Sequence, residues 1–170
     1  IDPKSAPAVL SMLRQMRVGS AADLEREGAP GLIIGEELAK RLGLGMGSRV
    51  NLLSPSGQKT TSGYAPRVRP FEVVGIFKTG MFEYDSSLGF VTLNAARDVL
   101  GLPENYLSGV ELTVADVYKA DKTAAEVSTE LGSPFYVRSW MEMNANLFAA
   151  LKLEKIGMFI LIFSSLSAAK

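Results

Sequence analysis

The chain contains no cysteine and no histidine in its 170 residues. Without cysteine there is no thiol nucleophile, no disulfide and no thiolate metal ligand. Without histidine, the usual general base near neutral pH and the commonest zinc ligand are missing too. Net charge is also lacking, because 18 Lys and Arg balance 18 Asp and Glu. A neutral chain sets up no long-range field to draw in nucleic acid or anionic lipid, so electrostatic recognition has to be local. These absences argue against an enzyme, a nucleic-acid binder, and any metal or cofactor. Freedom from cysteine also suits an oxidising, extracytoplasmic compartment.

The two ends are unusual in what they do and do not carry. Ile1-Asp2-Pro3 has no Met, no basic region and no apolar run behind it, so a preceding segment is expected. Residues 156–168 carry no charge and are apolar around the whole circumference of a helix. A helix at the edge of a small domain should instead show a polar face. Lys152, Glu154 and Lys155 introduce the run as a headgroup-level cluster would. The stretch is shorter than the roughly 20 apolar residues of a full span. It therefore reads as the start of a transmembrane helix, with residues 141–153 forming a collinear helical stalk.

Along the chain, residues 5–16 read as a short amphipathic helix with Val9, Leu10, Leu13 and Met16 on one face. Ser20-Ala21-Ala22-Asp23 is a capping signature opening a brief helix that Gly28 closes. Residues 31–35 form an apolar strand and 36–42 a helix stopped by Gly43. Strands follow at 49–53, 71–78 and 89–93, then a helix over 94–100 ended by Gly101. Gly43-Leu44-Gly45-Met46-Gly47 follows a helix and precedes a strand, the reverse of a phosphate loop, and is a turn. Residues 108–114, 116–131 and 134–139 read as one β-α-β unit, which cannot cover both faces of its own sheet and needs a partner unit.

Residues 55–70 are too many for an ordinary hairpin connection. Pro66 and Pro70 stiffen the second half, so the segment should project, and Lys59, Arg67 and Arg69 make it basic with no acid. Tyr and Arg are the residue types enriched at interface hot spots. Tyr64, Pro66, Arg67, Val68, Arg69 and Pro70 are therefore the candidate partner-binding residues, with Arg67 and Arg69 sharing one face. The cluster Glu83-Tyr84-Asp85-Ser86-Ser87 pairs carboxylates with hydroxyls, but it has no neighbouring base and reads as a polar turn before the next strand.

Several segments carry a resemblance in their order and spacing. They are Ile1-Asp2-Pro3, Pro30-Gly31-Leu32-Ile33-Ile34-Gly35-Glu36-Glu37-Leu38-Ala39, Leu42-Gly43 with Gly47-Ser48-Arg49-Val50, and Val73-Val74-Gly75-Ile76-Phe77. To these add Glu83 to Leu88 and Leu147 to Lys155. Together they resemble the periplasmic domain of the LolC/LolE family of lipoprotein-releasing ABC transporter permeases, within the MacB/FtsX-like superfamily. The resemblance implies an α+β, two-lobed MacB-like domain. Residues 1–102 would be an inserted lobe with a hook-like loop at 55–70, 103–140 the returning β-α-β half of the other lobe, and 141–170 the stalk and truncated transmembrane helix. It further implies a bacterial inner-membrane protein with this domain in the periplasm, a lipoprotein substrate, and a LolA-like chaperone recruited by the hook. A second permease subunit and a separate cytoplasmic ATPase subunit complete the implied partners. A MacB-like exporter or an FtsX-like regulatory permease is the alternative within the same class.

Overall fold

The computed structural model describes residues 1–60 and 63–168, with 56–60, 64 and 161–168 described for the backbone alone. The chain divides into two compact units, Ile1–Glu111 and Leu112–Lys170. Both belong to a mixed helix-and-sheet, α+β chain.

The first unit is built on a five-stranded sheet: β1 (Met16–Gly19), β2 (Gly31–Gly35), β3 (Arg49–Thr60), β4 (Gly63–Phe77) and β5 (Gly89–Phe90). β4 pairs antiparallel with β1 and β3 and parallel with β2, and β5 closes the far side of β2. All of β2 is buried, which is why it reads as an unbroken apolar run instead of an alternating one. Leu32 and Ile34 enter one core with Phe71 and Val73, while Ile33 enters a second with Val74 and Phe77. Leu32 is partnered by Val73 but Ile33 by Gly75. The extra residue in β4, Val74, turns its side chain to the second core, as a bulge requires.

Helices α1 (Ala6–Val9), α2 (Glu36–Leu42), α3 (Phe82–Ser87) and α4 (Leu93–Leu100) surround this sheet. Ala39 of α2 and Val99 of α4 seal the first core. Gly43 (φ 64°) and Gly101 (φ 69°) end α2 and α4 in the left-handed conformation, as their positions in the sequence suggest. Thr92 caps α4 by accepting from the Ala95 amide at 3.2 Å, and that cap leaves β5 shorter than the expected 89–93. The Ser20–Asp23 capping box is present, on a 3-10 turn over Ala21–Leu24.

Two readings of the first unit need correction. The expected helix over 5–16 is interrupted at Leu10 (φ −89°, ψ 100°), continues as a 3-10 turn over Ser11–Arg14, and gives way to β1. Leu10, Leu13 and Met16 still reach the second core, but Met16 and Val18 gain ladder partners on β4, which a short helix could not offer. Residues 55–70 are not an open loop. β3 continues to Thr60 and β4 starts at Gly63, so most of the segment is paired.

The second unit contains a 3-10 turn over Val117–Lys119, then α5 (Ala120–Leu131), α6 (Trp140–Met143) and α7 (Ala145–Ala168). The expected strands at 108–114 and 134–139 are absent from the sheet. A strand exists only with a neighbour to take its backbone hydrogen bonds, and among the described residues none does so. Most of their side chains stand in the open, with Val110 78% and Tyr136 81% exposed, while Val114 and Val137 are half-buried and Ser139 is buried. The expected helix from 141 is broken at Asn144, whose side-chain amide donates to the Trp140 carbonyl at 2.8 Å and competes with the helical ladder. From Ala145 the helix runs without interruption through the apolar stretch to Ala168. Among the described residues no helix is long and apolar enough to cross a membrane.

Gly35 is the tightest point of the first unit's packing. A Cβ built there would lie 2.2 Å from the Asp85 carbonyl oxygen, and neither backbone can move without disturbing β2 or α3. Gly35→Ala is expected to cost about 3 kcal/mol in urea unfolding. Gly45→Ala, where a Cβ meets nothing within 4 Å, serves as the neutral control. Equal midpoints for the two variants would contradict the close approach.

Candidate functional site

β2 stops pairing with β4 at Glu72. Upstream of that point β3 is the one strand paired with β4 among the described residues, in a two-stranded ribbon with Leu52 opposite Arg69, Leu53 opposite Val68 and Ser54 opposite Arg67. An irregularity between Ser54 and Gln58 follows, after which Ala65 pairs with Gln58 and Tyr64 with Lys59. The candidate residues therefore lie on one strand of a ribbon extending past the rest of the sheet. The backbone of Tyr64 belongs to it, while its side chain lies outside the described residues.

Alternation along β4 divides the candidates between two faces. Arg67 and Arg69 lie on the same face as Phe71, as the sequence suggests, and α4 packs over that face. Arg69 grips Asp98 of α4 with two prongs, Nε to Oδ2 at 2.7 Å and Nη2 to Oδ1 at 3.2 Å. Arg67 donates to the Asp98 backbone carbonyl at 3.4 Å. Its guanidinium also occupies the space where a Cβ on Gly101 would stand, 2.8 Å from Cζ. The Arg69 hydrogen bond holds the Asp98 carboxyl below its usual range, and the same bond raises Arg69. Two cations at the C-terminal turn of α4 also complement the negative end of its dipole. The absence of acids within 55–70 thus did not leave these arginines unmatched, since their partner comes from a helix further along the chain.

On the opposite face Val68 is 44% and its cross-strand partner Leu53 65% exposed. Pro55, Pro66 and Pro70 are exposed as well, so this face is largely apolar, with Asn51 opposite Pro70 as its polar member. The prolines fit because of where their nitrogens point. The Glu72 amide donates toward β2, to the Pro30 carbonyl at 3.0 Å, while the Val73 amide donates to the Ser48 carbonyl at 2.9 Å. By alternation the nitrogens of Pro66 and Pro70 face the side beyond β2, where no ladder bond is lost. Leu53, Pro55 and Asp98 escaped the sequence reading. Leu53 joins this face only through the β3–β4 register that sets it opposite Val68, and no local pattern points to Asp98.

The Glu83–Ser87 cluster is helical, forming most of α3. Asp85 is 2% exposed. Burial pushes its carboxyl upward, but hydrogen bonds from the Thr79 amide and hydroxyl and the Gly80 amide outweigh that and hold it low. Both of its oxygens are occupied in pinning the 79–81 turn, which suits a structural anchor and not a base. Nearby, Glu36 meets Lys78 at 2.8 Å, Arg17 at 3.0 Å and Lys40 at 3.3 Å. Among the described residues no group of three or more acidic side chains gathers as a metal would require.

A family model described as the MacB-like periplasmic core domain matches residues 3–130. Among curated proteins, the chain is similar to the lipoprotein-releasing system transmembrane protein LolC of Neisseria meningitidis serogroup B. The two are 34% identical over 166 residues, covering 95% of this chain and 39% of that protein. LolC of Xylella fastidiosa strain Temecula1 is 32% identical over 162 residues, covering 95% and 38%. LolC of Buchnera aphidicola from Acyrthosiphon pisum is 26% identical over 133 residues, covering 78% and 32%. The chain therefore spans about two fifths of the length of the first two relatives.

The ionic cluster at Glu36 makes a pH-dependent contribution whose sign is defined. Its hydrogen bond from Lys78, with help from Lys40 and Arg17, lowers its carboxyl from 4.5 to about 2. A depressed carboxyl stabilises the fold fully above its unfolded value and loses that contribution as pH falls through the folded one. The melting temperature of Glu36→Gln should thus fall below that of the parent at neutral pH, with the gap closing between about pH 4.5 and 2. A gap that is constant with pH would contradict the assignment.

Proposed function

Because the chain belongs to the MacB-like periplasmic core domain family and its relatives are LolC proteins, we propose that it is the periplasmic part of a bacterial inner-membrane permease that releases lipoproteins. The released lipoprotein would pass to a LolA-like periplasmic chaperone docked on the β3–β4 ribbon. ATP hydrolysis would come from a separate cytoplasmic subunit, and a second permease subunit would complete the assembly. α7 would lead into the membrane. Residues 108–114 and 134–139 would find their strand partners in other parts of the longer protein. Relatives named as lipoprotein-releasing proteins favour this reading over a MacB-like exporter or an FtsX-like regulator.

The observation that carries the chaperone assignment is the apolar outer face of the ribbon. Leu53, Pro55, Pro66, Val68 and Pro70 hold it clear of both cores. Prolines restrict the conformations that binding must freeze, which lowers the ordering cost. Burying an exposed Leu or Val contributes about 1.5–3 kcal/mol when complete, and several such contacts suit a release-and-capture interaction. Arg67 and Arg69 belong to the same surface but lie on its α4 side.

The double variant Leu53→Thr with Val68→Thr keeps residues that favour a strand while removing the apolar cross-strand pair. Capture of a purified LolA-like chaperone, followed by titration, should weaken about tenfold. The melting temperature should hardly move, because neither side chain is buried. Unchanged capture with an intact fold would exclude the outer face as the contact.

A further inference from the structure

The ribbon presents a mechanical problem. Upstream of Glu72 it has no lateral neighbour on the β2 side among the described residues, and an isolated two-stranded hairpin is marginally stable and variable in twist. An unsupported ribbon would sweep through a range of angles and lose orientation on binding. The Arg67–Arg69 pair meets this problem at a specific place. Arg69 is opposite Leu52 and Arg67 opposite the buried Ser54, both on the core side of the irregularity between Ser54 and Gln58. Val68 lies between them in sequence and on the other face, directly behind the attachment.

We infer that Asp98 is a positioning residue for the ribbon. By taking Arg69 in a two-pronged ion pair, and by carrying Arg67 on its carbonyl and across Gly101, the C-terminal end of α4 sets the angle at which the Leu53–Val68 face is presented. Exposed ion pairs add little to stability, but a two-pronged arginine–carboxylate contact is directional and fixes geometry. Gly101 contributes twice. Its left-handed conformation ends α4, and its missing side chain admits the Arg67 guanidinium. The arginines then act through the ribbon and do not themselves need to touch the chaperone. The inference rests on the chaperone reading above for its functional consequence, but not for its structural one.

The test separates the two. The chain has no native cysteine, so spin labels can be placed at Glu25→Cys in the first unit and Ala65→Cys on the ribbon without further substitution. Pulsed electron paramagnetic resonance should give a narrow distance distribution for the parent and a broadened one for Asp98→Ala, whether or not any chaperone binds. In unlabelled protein, Asp98→Ala and Arg69→Ala should each weaken chaperone capture about fivefold, and the double variant should be no worse than either single one. Melting temperatures should be nearly unchanged. A narrow distribution in Asp98→Ala would overturn the inference. So would weakened capture in Arg69→Ala with undiminished capture in Asp98→Ala, because the arginine would then be touching the partner itself. If the parent fails to capture the chaperone while the distances broaden as stated, the chaperone reading falls and the positioning role stands.

Discussion

The hydrogen bonds that β4 makes along its length govern where the other parts of the first unit can go. Its apolar end is shared between β1 on one edge and β2 on the other, and its basic end belongs to β3 alone. A strand buried on both faces must feed two cores, and strict alternation would have sent Val73 and Gly75 to the same side. The bulge at Val74 gives each core a large side chain while Ile76 and Phe77 still alternate beyond it. Because β2 ends its pairing at Glu72, the remainder of β4 is free to leave the sheet.

The extension is therefore a continuation of the central strand and not an appended loop. Its root is set by two of the most buried side chains in the unit, Phe71 and Val73, and its flank by α4. The helix that seals the first core with Val99 also carries Asp98 one residue earlier. Packing and ribbon orientation are thus read from adjacent positions on one short helix. The Asp85 anchor works on the same economy, with one buried carboxylate fixing the 79–81 turn while Gly35 gives its backbone room.

Much of this was legible in the amino-acid order where local chemistry and burial agree. The run Gly31–Gly35, the helix Glu36–Leu42 with Gly43 beyond it, and α4 between Thr92 and Gly101 all pair a periodic pattern with a capping residue. Legibility failed where the decisive partner is distant or elsewhere. Residues 5–16 have a helical apolar period, but β4 supplies a better arrangement for Met16 and Val18. Residues 108–114 and 134–139 have strand composition but, among the described residues, no strand to pair with. Pro66 and Pro70 suggested a stiff projecting loop, yet they lie within β4, where only one edge is in use. The candidate residues were found on one strand, whereas Leu53 and Asp98 depended on register and on contacts made across the fold.

The placement of those two prolines has a consequence for the protein at high concentration. Between them, the side of β4 beyond β2 has one amide, that of Val68, flanked by positions with no hydrogen to give. A strand from another molecule approaching that edge would find carbonyls but no regular row of donors, and could not lengthen the sheet. The exposed apolar residues of the ribbon would otherwise make it a template for edge-to-edge aggregation. Proline at these two positions allows a sticky face to be displayed on a strand that neighbouring copies cannot extend.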